Sequence, residues 1–248
     1  MKKVLLLGAF ALFGAMNAQE YKPEAGKVTT EFGLTGGLGD TSVQLPDGNA
    51  YFKARYFKTE NLAYRLSASV GSSSTTTDTD EYSSRGTIFE THTTGKDKVS
   101  STNILLGFGV EKHFAGTERL SPYIGAEALI GYAGQKKVSD RTEVNSGSNT
   151  TAYNLTTEKE VKGPNTFSFG VRGVFGADYY FAKKVFLGVE AGLGLMYASE
   201  GKTKTSSSNS LTSGGTTTTR SSSSETPGGR SFNIKPQVVT GIRIGYVF

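Results

Sequence analysis

The chain has 248 residues, a formal charge of +5, 32 glycines, no cysteine and a hydrophobic content of 36%. The missing cysteine excludes disulfides, thiolate metal sites, thiol catalysis and a lipid-modified N-terminal cysteine. No run of about 18 apolar residues follows the N-terminus, which excludes a helical membrane protein, and the small basic surplus is not clustered as nucleic-acid binding requires.

Residues 1–18 read as a secretory signal. Lys2 and Lys3 give the positive start, Val4 to Ala15 the apolar run, and Ala18 the small residue before a cut at Gln19. Met16 is large for the position three residues before the cut. The apolar run is too short to span a bilayer as a helix. Residues 19–248 are then one exported domain, and removing Lys2 and Lys3 with the signal leaves +3.

Eight segments of two-residue alternation follow, predicting strands at 28–38, 49–58, 62–71, 99–114, 121–134, 165–181, 185–198 and 231–248. The third is the clearest: Leu62, Tyr64, Leu66, Ala68 and Val70 oppose Ala63, Arg65, Ser67, Ser69 and Gly71. In the fourth, Ile104, Leu106, Phe108, Val110 and Phe114 alternate with Gly107, Gly109, Glu111 and His113. In the sixth, Phe167, Phe169, Val171, Phe175, Tyr179 and Phe181 oppose Ser168, Gly170, Arg172, Gly176 and Asp178. The last places Phe232, Ile234, Ile242, Ile244, Tyr246 and Phe248 against Asn233, Lys235, Gln237, Arg243 and Gly245.

Two regularities set the architecture. The strand count is even, and the links alternate: those after the second, fourth and sixth strands are short, while those after the third, fifth and seventh are long and rich in Ser and Thr. Antiparallel neighbours then carry all short turns at one end. The small-residue face also holds Glu31, Lys53, Arg55, Arg65, Glu111, Glu127, Arg172, Asp178, Glu190, Lys235 and Arg243, six cations and five anions. The opposite face is apolar, where a mid-membrane Arg or Lys costs roughly 2–4 kcal/mol. Lys112 is an exception by parity, placed near a short-turn end. A soluble sheet with one wet face shows the same alternation. Aromatics at the strand ends and strand lengths near the roughly 9–11 residues of a membrane crossing favour lipid. The predicted fold is all-β: an eight-stranded antiparallel up-and-down transmembrane barrel with short periplasmic turns and long extracellular loops.

The signal MKKVLLLGAFALFGAMNAQ, the eight alternating segments and the terminal GIRIGYVF resemble small outer-membrane β-barrels of the OmpX/OmpA transmembrane type. The NAQ ending of the signal resembles those of Bacteroidota proteins. The resemblance implies residence in the bacterial outer membrane, contact with its lipids and lipopolysaccharide, and insertion by the barrel-assembly machinery, with Tyr246 and Phe248 as the assembly signal. It also implies that the peptidoglycan-binding domain of longer relatives is absent, since Phe248 ends the chain. It brings no catalytic motif.

An eight-stranded barrel has an interior just wide enough to be filled by side chains. The inward charges should therefore pair with one another, with Gly107, Gly109, Gly188, Gly192 and Gly194 making room. This predicts a non-enzymatic structural or envelope protein with a filled lumen. A narrow porin for small solutes is the alternative, and a barrel enzyme a more remote one. Any activity falls to the loops. Ser206–Ser208, Thr216–Thr219 and Ser221–Ser224 have little to bury and are expected to be mobile. The patch from Arg85 to His92 extends a hairpin or offers an edge to a surface ligand. Lys202, Lys204, Arg220 and Arg230 can meet lipopolysaccharide phosphates. Of the two histidines, His92 lies in a long link near Glu90 and Asp97, and His113 near a short-turn end. Neither has the fixed neighbours that general acid–base chemistry needs. Asp78, Asp80, Glu90 and His92 show no metal-ligand spacing, and no cofactor is expected.

Overall fold

The computed structural model describes residues 21–35, 49–84, 90–146, 152–237 and 243–248. The signal assigned to 1–18, and the part of the Arg85–His92 patch at 85–89, lie outside them. Among the described residues there are twelve strands and no helix: β1 (Val28–Thr35), β2 (Asn49–Thr59), β3 (Leu62–Ser84), β4 (Glu90–His113), β5 (Leu120–Ser146), β6 (Tyr153–Lys162), β7 (Thr166–Ala182), β8 (Val185–Glu200), β9 (Thr203–Ser213), β10 (Thr216–Thr226), β11 (Arg230–Gln237) and β12 (Arg243–Val247).

Eight staves form a closed antiparallel ring. β1 pairs β2, β2 pairs β3, β3 pairs β4, β4 pairs β5, β5 pairs β7 and β7 pairs β8. β11 and β12 pair successive parts of β8, and β12 also pairs β1 from Thr29↔Val247 to Gly33↔Arg243. That last pairing closes the ring and leaves no edge at this level. The turns β2–β3, β4–β5 and β7–β8 all lie at one end. Those after β2 and β7 have two residues each, and in the latter Lys184 has φ 65.

Alternation decides what each face meets. The outward face is a belt of large apolar side chains left open, including Phe167 at 63%, Phe169 at 60% and Phe175 at 63% exposure. A water-soluble sandwich would bury those rings under a second layer. Tyr56, Tyr64, Phe114, Tyr179, Phe181 and Phe248 rim the belt at the short-turn end. Tyr132, Phe167, Phe169, Tyr197 and Phe232 lie toward the other, where the rings of Tyr132 and Phe167 are 5.1 Å apart and those of Phe169 and Tyr197 5.0 Å. On β5 the belt runs from Ile124 to Tyr132. That matches the roughly 9–11 residues a strand needs to cross a bilayer. Lys112 is exposed on this face at its short-turn margin, paired with Leu62 and Ile124.

The long links are strands rather than loops. β3 and β4 stay paired without a register break to Ser84↔Glu90, and β4 and β5 to Glu90↔Ser146. Above the ring β5 changes partner from β7 to β6, β6 pairs β9, and β9 pairs β10. In chain order β6 precedes β7, β9 follows β8 and β10 precedes β11. Six of the eight staves thus continue as an open outer sheet. The continuation is interrupted along one line, at 163–165, 201–202 and 227–229. There Gly163 NH donates to Gln135 O, Gly201 NH to Asn165 O and Glu200 NH to Gly229 O, each at 2.8 Å.

The tracts Ser206–Ser208, Thr216–Thr219 and Ser221–Ser224 therefore sit in paired strands rather than in irregular loops. β-Branched Thr suits extended backbone. The two-residue turn Gly214-Gly215, with φ of 57° and 76°, supplies the positive φ values that a tight hairpin needs.

Candidate functional site

The inward face of the ring carries one continuous charge network. Its members come from all eight staves, because alternate residues of each strand face the axis. Glu31 lies on β1, Lys53 and Arg55 on β2, Arg65 on β3 and Glu111 on β4. Glu127 lies on β5, Arg172 and Asp178 on β7, Glu190 on β8 and Arg243 on β12. All ten are buried, and the side chains of Glu31, Lys53, Arg55, Arg65, Glu111, Glu127, Asp178 and Glu190 have zero exposure. Five cations meet five anions. Lys235 pairs Gly194 in the β11–β8 ladder, and its side chain lies outside the described set.

Glu190 is the hub. It accepts from Arg65 through both Oε atoms at 3.0 Å, from Lys53 at 3.2 Å, from Arg243 at 3.1 Å and from the Tyr123 hydroxyl at 2.7 Å. Tyr123 in turn accepts from Arg243 Nη2 at 2.8 Å, so it links cation to anion. Nearer the short-turn end Arg55 holds Asp178 at 2.6 Å, Glu31 at 2.8 Å and Glu111 at 3.1 Å, and its Nε donates to Thr29 at 3.0 Å. On the other side Arg65 reaches Glu111 at 2.9 Å and Glu127 at 2.8 Å. Glu127 also takes the Ser67 hydroxyl at 3.2 Å and pairs with Arg172. Each charge has a counter-charge, which is what keeps ions tolerable away from water.

Close approach needs small residues opposite the long ones. A methyl added at Gly109 would stand 2.6 Å from Glu127 Cβ, and one at Gly188 3.0 Å from Arg243 Nη2. One at Gly192 would stand 3.3 Å from Arg172 Cδ, and Gly194 faces Arg172 in the ladder. Below the network an apolar floor of Tyr180, Phe186 and Val247 closes the short-turn end, with Tyr21 packed against it. Gly245 leaves room there for the Phe186 ring, which a methyl added at that position would strike.

Neutral residues join the ionic ones. Thr29, Tyr51, Ser67, Tyr123 and His113 share the inward parity, and that was the available signal. His113 is buried with Nδ1 2.9 Å from Ser121 Oγ and Nε2 3.3 Å from Glu111. It serves the network from within. His92 lies in the outer sheet, stacked on Tyr82 at 3.9 Å with Nε2 2.7 Å from Asp80. Tyr246 and Phe248 stand together on the outward face, rings 4.9 Å apart, with Phe248 the more exposed.

A closed ring with an apolar exterior and a polar, filled interior defines a membrane β-barrel. Residues 48–207 match the model of the "Putative OmpA-OmpF-like porin family". The match covers well over half of the chain, and the chain belongs to that family. Among solved structures it is similar to the outer membrane protein OprG from Pseudomonas aeruginosa, at 12% identity and TM-score 0.37, covering 93% of this chain and 99% of that one. It is also similar to a major outer membrane protein from Thermus thermophilus, at 14% identity and TM-score 0.24, covering 90% and 99%. At these scores the two likenesses add nothing to the family match. No curated protein matches the chain.

Proposed function

We propose that the protein is a non-enzymatic outer-membrane barrel that serves the envelope as a closed structural element and presents the outer sheet on the cell surface. The short turns then lie on the periplasmic side and the outer sheet outside, the usual arrangement of such barrels. The observation that carries the reading is the zero exposure of Glu31, Lys53, Glu111 and Glu190 at mid-barrel. Side chains lining a water-filled pore keep contact with solvent, and these do not. Reconstitution in planar bilayers tests it: the closed barrel gives no steady open-state current. A steady current would instead support a narrow porin, the reading that the family's description favours.

Surface adhesion is a second role, favoured by β10. Among the described residues this eleven-residue strand pairs only β9, is exposed along its whole length and contains no proline. Such an edge is a template for a partner's strand. Proline at Thr218 and Ser222 should abolish capture of extended peptides by the folded barrel. Unchanged capture would reject the edge as the docking element.

A further inference from the structure

The register of the outer sheet brings together lysines that are far apart in sequence. Lys136 pairs Lys162, and Lys162 pairs Lys204. Lys204 pairs Glu225, while Lys136 pairs Ser100 on the other side. The adjacent row on the same face runs Thr76, Lys98, Val138, Glu160, Ser206, Ser223. Lys202, at the line of interruption, reaches the same Glu225 as Lys204, at 3.0 Å against 3.1 Å. Glu160 likewise serves both Lys136 and Lys162. Four lysines share two glutamates, and Lys98 has no ion pair among the described residues.

Three lysines side by side across a sheet repel one another. Two features say what offsets this. First, the face is the outward one. Ile104, Tyr132 and Lys136 have the same parity on unbroken strands, so the lysine row continues the apolar belt four residues beyond its aromatic rim. That is about 13 Å of chain, and a lysine stem can bend back toward the interface. Second, the sign of charge changes with height. Two steps farther out the row reads Asp78, Lys96, Asp140, Glu158, and Asp80 follows. The net charge is positive in the row next to the belt, where three lysines meet one glutamate, and negative in the outer row, where three carboxylates meet one lysine.

We propose that Lys98, Lys136, Lys162, Lys202 and Lys204 form a band that binds the phosphates of anionic lipid headgroups in the leaflet at the outer-sheet end. The band rests on the membrane reading above, and commits to lipid because it is continuous with the lipid-facing surface. It lies over β4, β5, β6 and β9 only, so bound headgroups collect on one flank of the barrel.

The test uses the full chain folded in detergent, incubated with bisphosphorylated lipid A or with its dephosphorylated form. Native mass spectrometry counts lipid retained per barrel. The phosphorylated lipid is retained in preference, and the combined K136Q, K162Q, K202Q and K204Q variant retains roughly tenfold less. Lys137 and Lys159 lie on the opposite face, so the K137Q and K159Q pair retains the unsubstituted amount. Equal retention of both lipids, or an unaffected quadruple variant, overturns the band. Equal loss in the opposite-face pair overturns the face assignment. Heat-modifiable gel migration confirms that each variant is folded. A chain that stays soluble without detergent refutes the membrane reading, whereas a folded, detergent-dependent barrel indifferent to phosphate refutes the band alone.

Discussion

β3, β4 and β5 run through both the ring and the outer sheet with one unbroken register, so the two regions share a backbone and differ only in what their side chains meet. On β3 the first residues alternate between buried and exposed, and beyond Gly71 nearly all are exposed. In the ring, one face touches the belt's apolar surroundings and the other a network closed in by eight staves. In the outer sheet both faces meet water. Ladder hydrogen bonds are therefore enough to keep a strand extended, but only enclosure turns charges into a structural core. Exposed ion pairs contribute little. Enclosed ones are severe when broken, because the abandoned partner has no water to turn to.

That contrast can be broken most strongly at the hub. Replacing Glu190 with Ala takes one counter-charge from each of Lys53, Arg65 and Arg243 and leaves the enclosed network with a positive excess, and should cost about 3–5 kcal/mol, read as a lowered urea midpoint of the folded barrel in detergent. The same deletion at Glu225, whose lysines are exposed, should leave the midpoint in place. A similar loss at both sites would erase the distinction between the regions.

A smaller effect is expected where the outer sheet depends on backbone alone. Val at Gly215 must adopt a left-handed conformation that costs roughly 1–2 kcal/mol. Amide hydrogen exchange should quicken in β9 and β10 and remain slow in β5 and β7. Quickening throughout the ring would show that the outer hairpin braces the barrel.

Acid sharpens the comparison further. Hydrogen bonds from Lys136 and Lys162 hold the Glu160 carboxyl below its ordinary pKa, and those from Lys202 and Lys204 do the same for Glu225. Hydrogen bonds from Ser139 and Arg141 lower Asp97. A lowered folded pKa stabilises above the unfolded value, about 4.3 for Glu, and that contribution is lost as pH falls through the folded value. Exchange protection in β6, β9 and β10, corrected for intrinsic rates, should thus hold from neutral pH to about 4.3 and weaken below it. Weakening between pH 6 and 5 would contradict the sign.

The least effect belongs to Tyr180. Its hydroxyl is buried with no hydrogen-bond partner among the described residues. Phe at this position should change stability by no more than about 0.5 kcal/mol, or raise it, because an unsatisfied polar group is removed. A loss above about 1 kcal/mol in the same urea titration would reveal a partner for that oxygen.

Most of the ring was legible in the chain, since a strand's parity is local. Arg65 and Glu127 could be assigned to the inner face from their neighbours alone. That Arg65 grips Glu190, 125 positions away, was not legible, because it follows from the stagger of four intervening pairings. The strand pairing of the outer sheet was not legible, because Ser, Thr and charged residues give no apolar face to follow. Its local marks were the patch from Arg85 to His92 and turn dipeptides, Gly214-Gly215 above all.

Sequence by itself determined which side chains share a face, because alternation is a property of one extended chain. It also determined that the apolar faces needed a non-aqueous neighbour. Tertiary structure alone decided which charges meet, where the ring closes, and that Lys136, Lys162 and Lys204 stand in one row. Those depend on register between strands, and register is set by how the whole sheet pairs rather than by any segment within it.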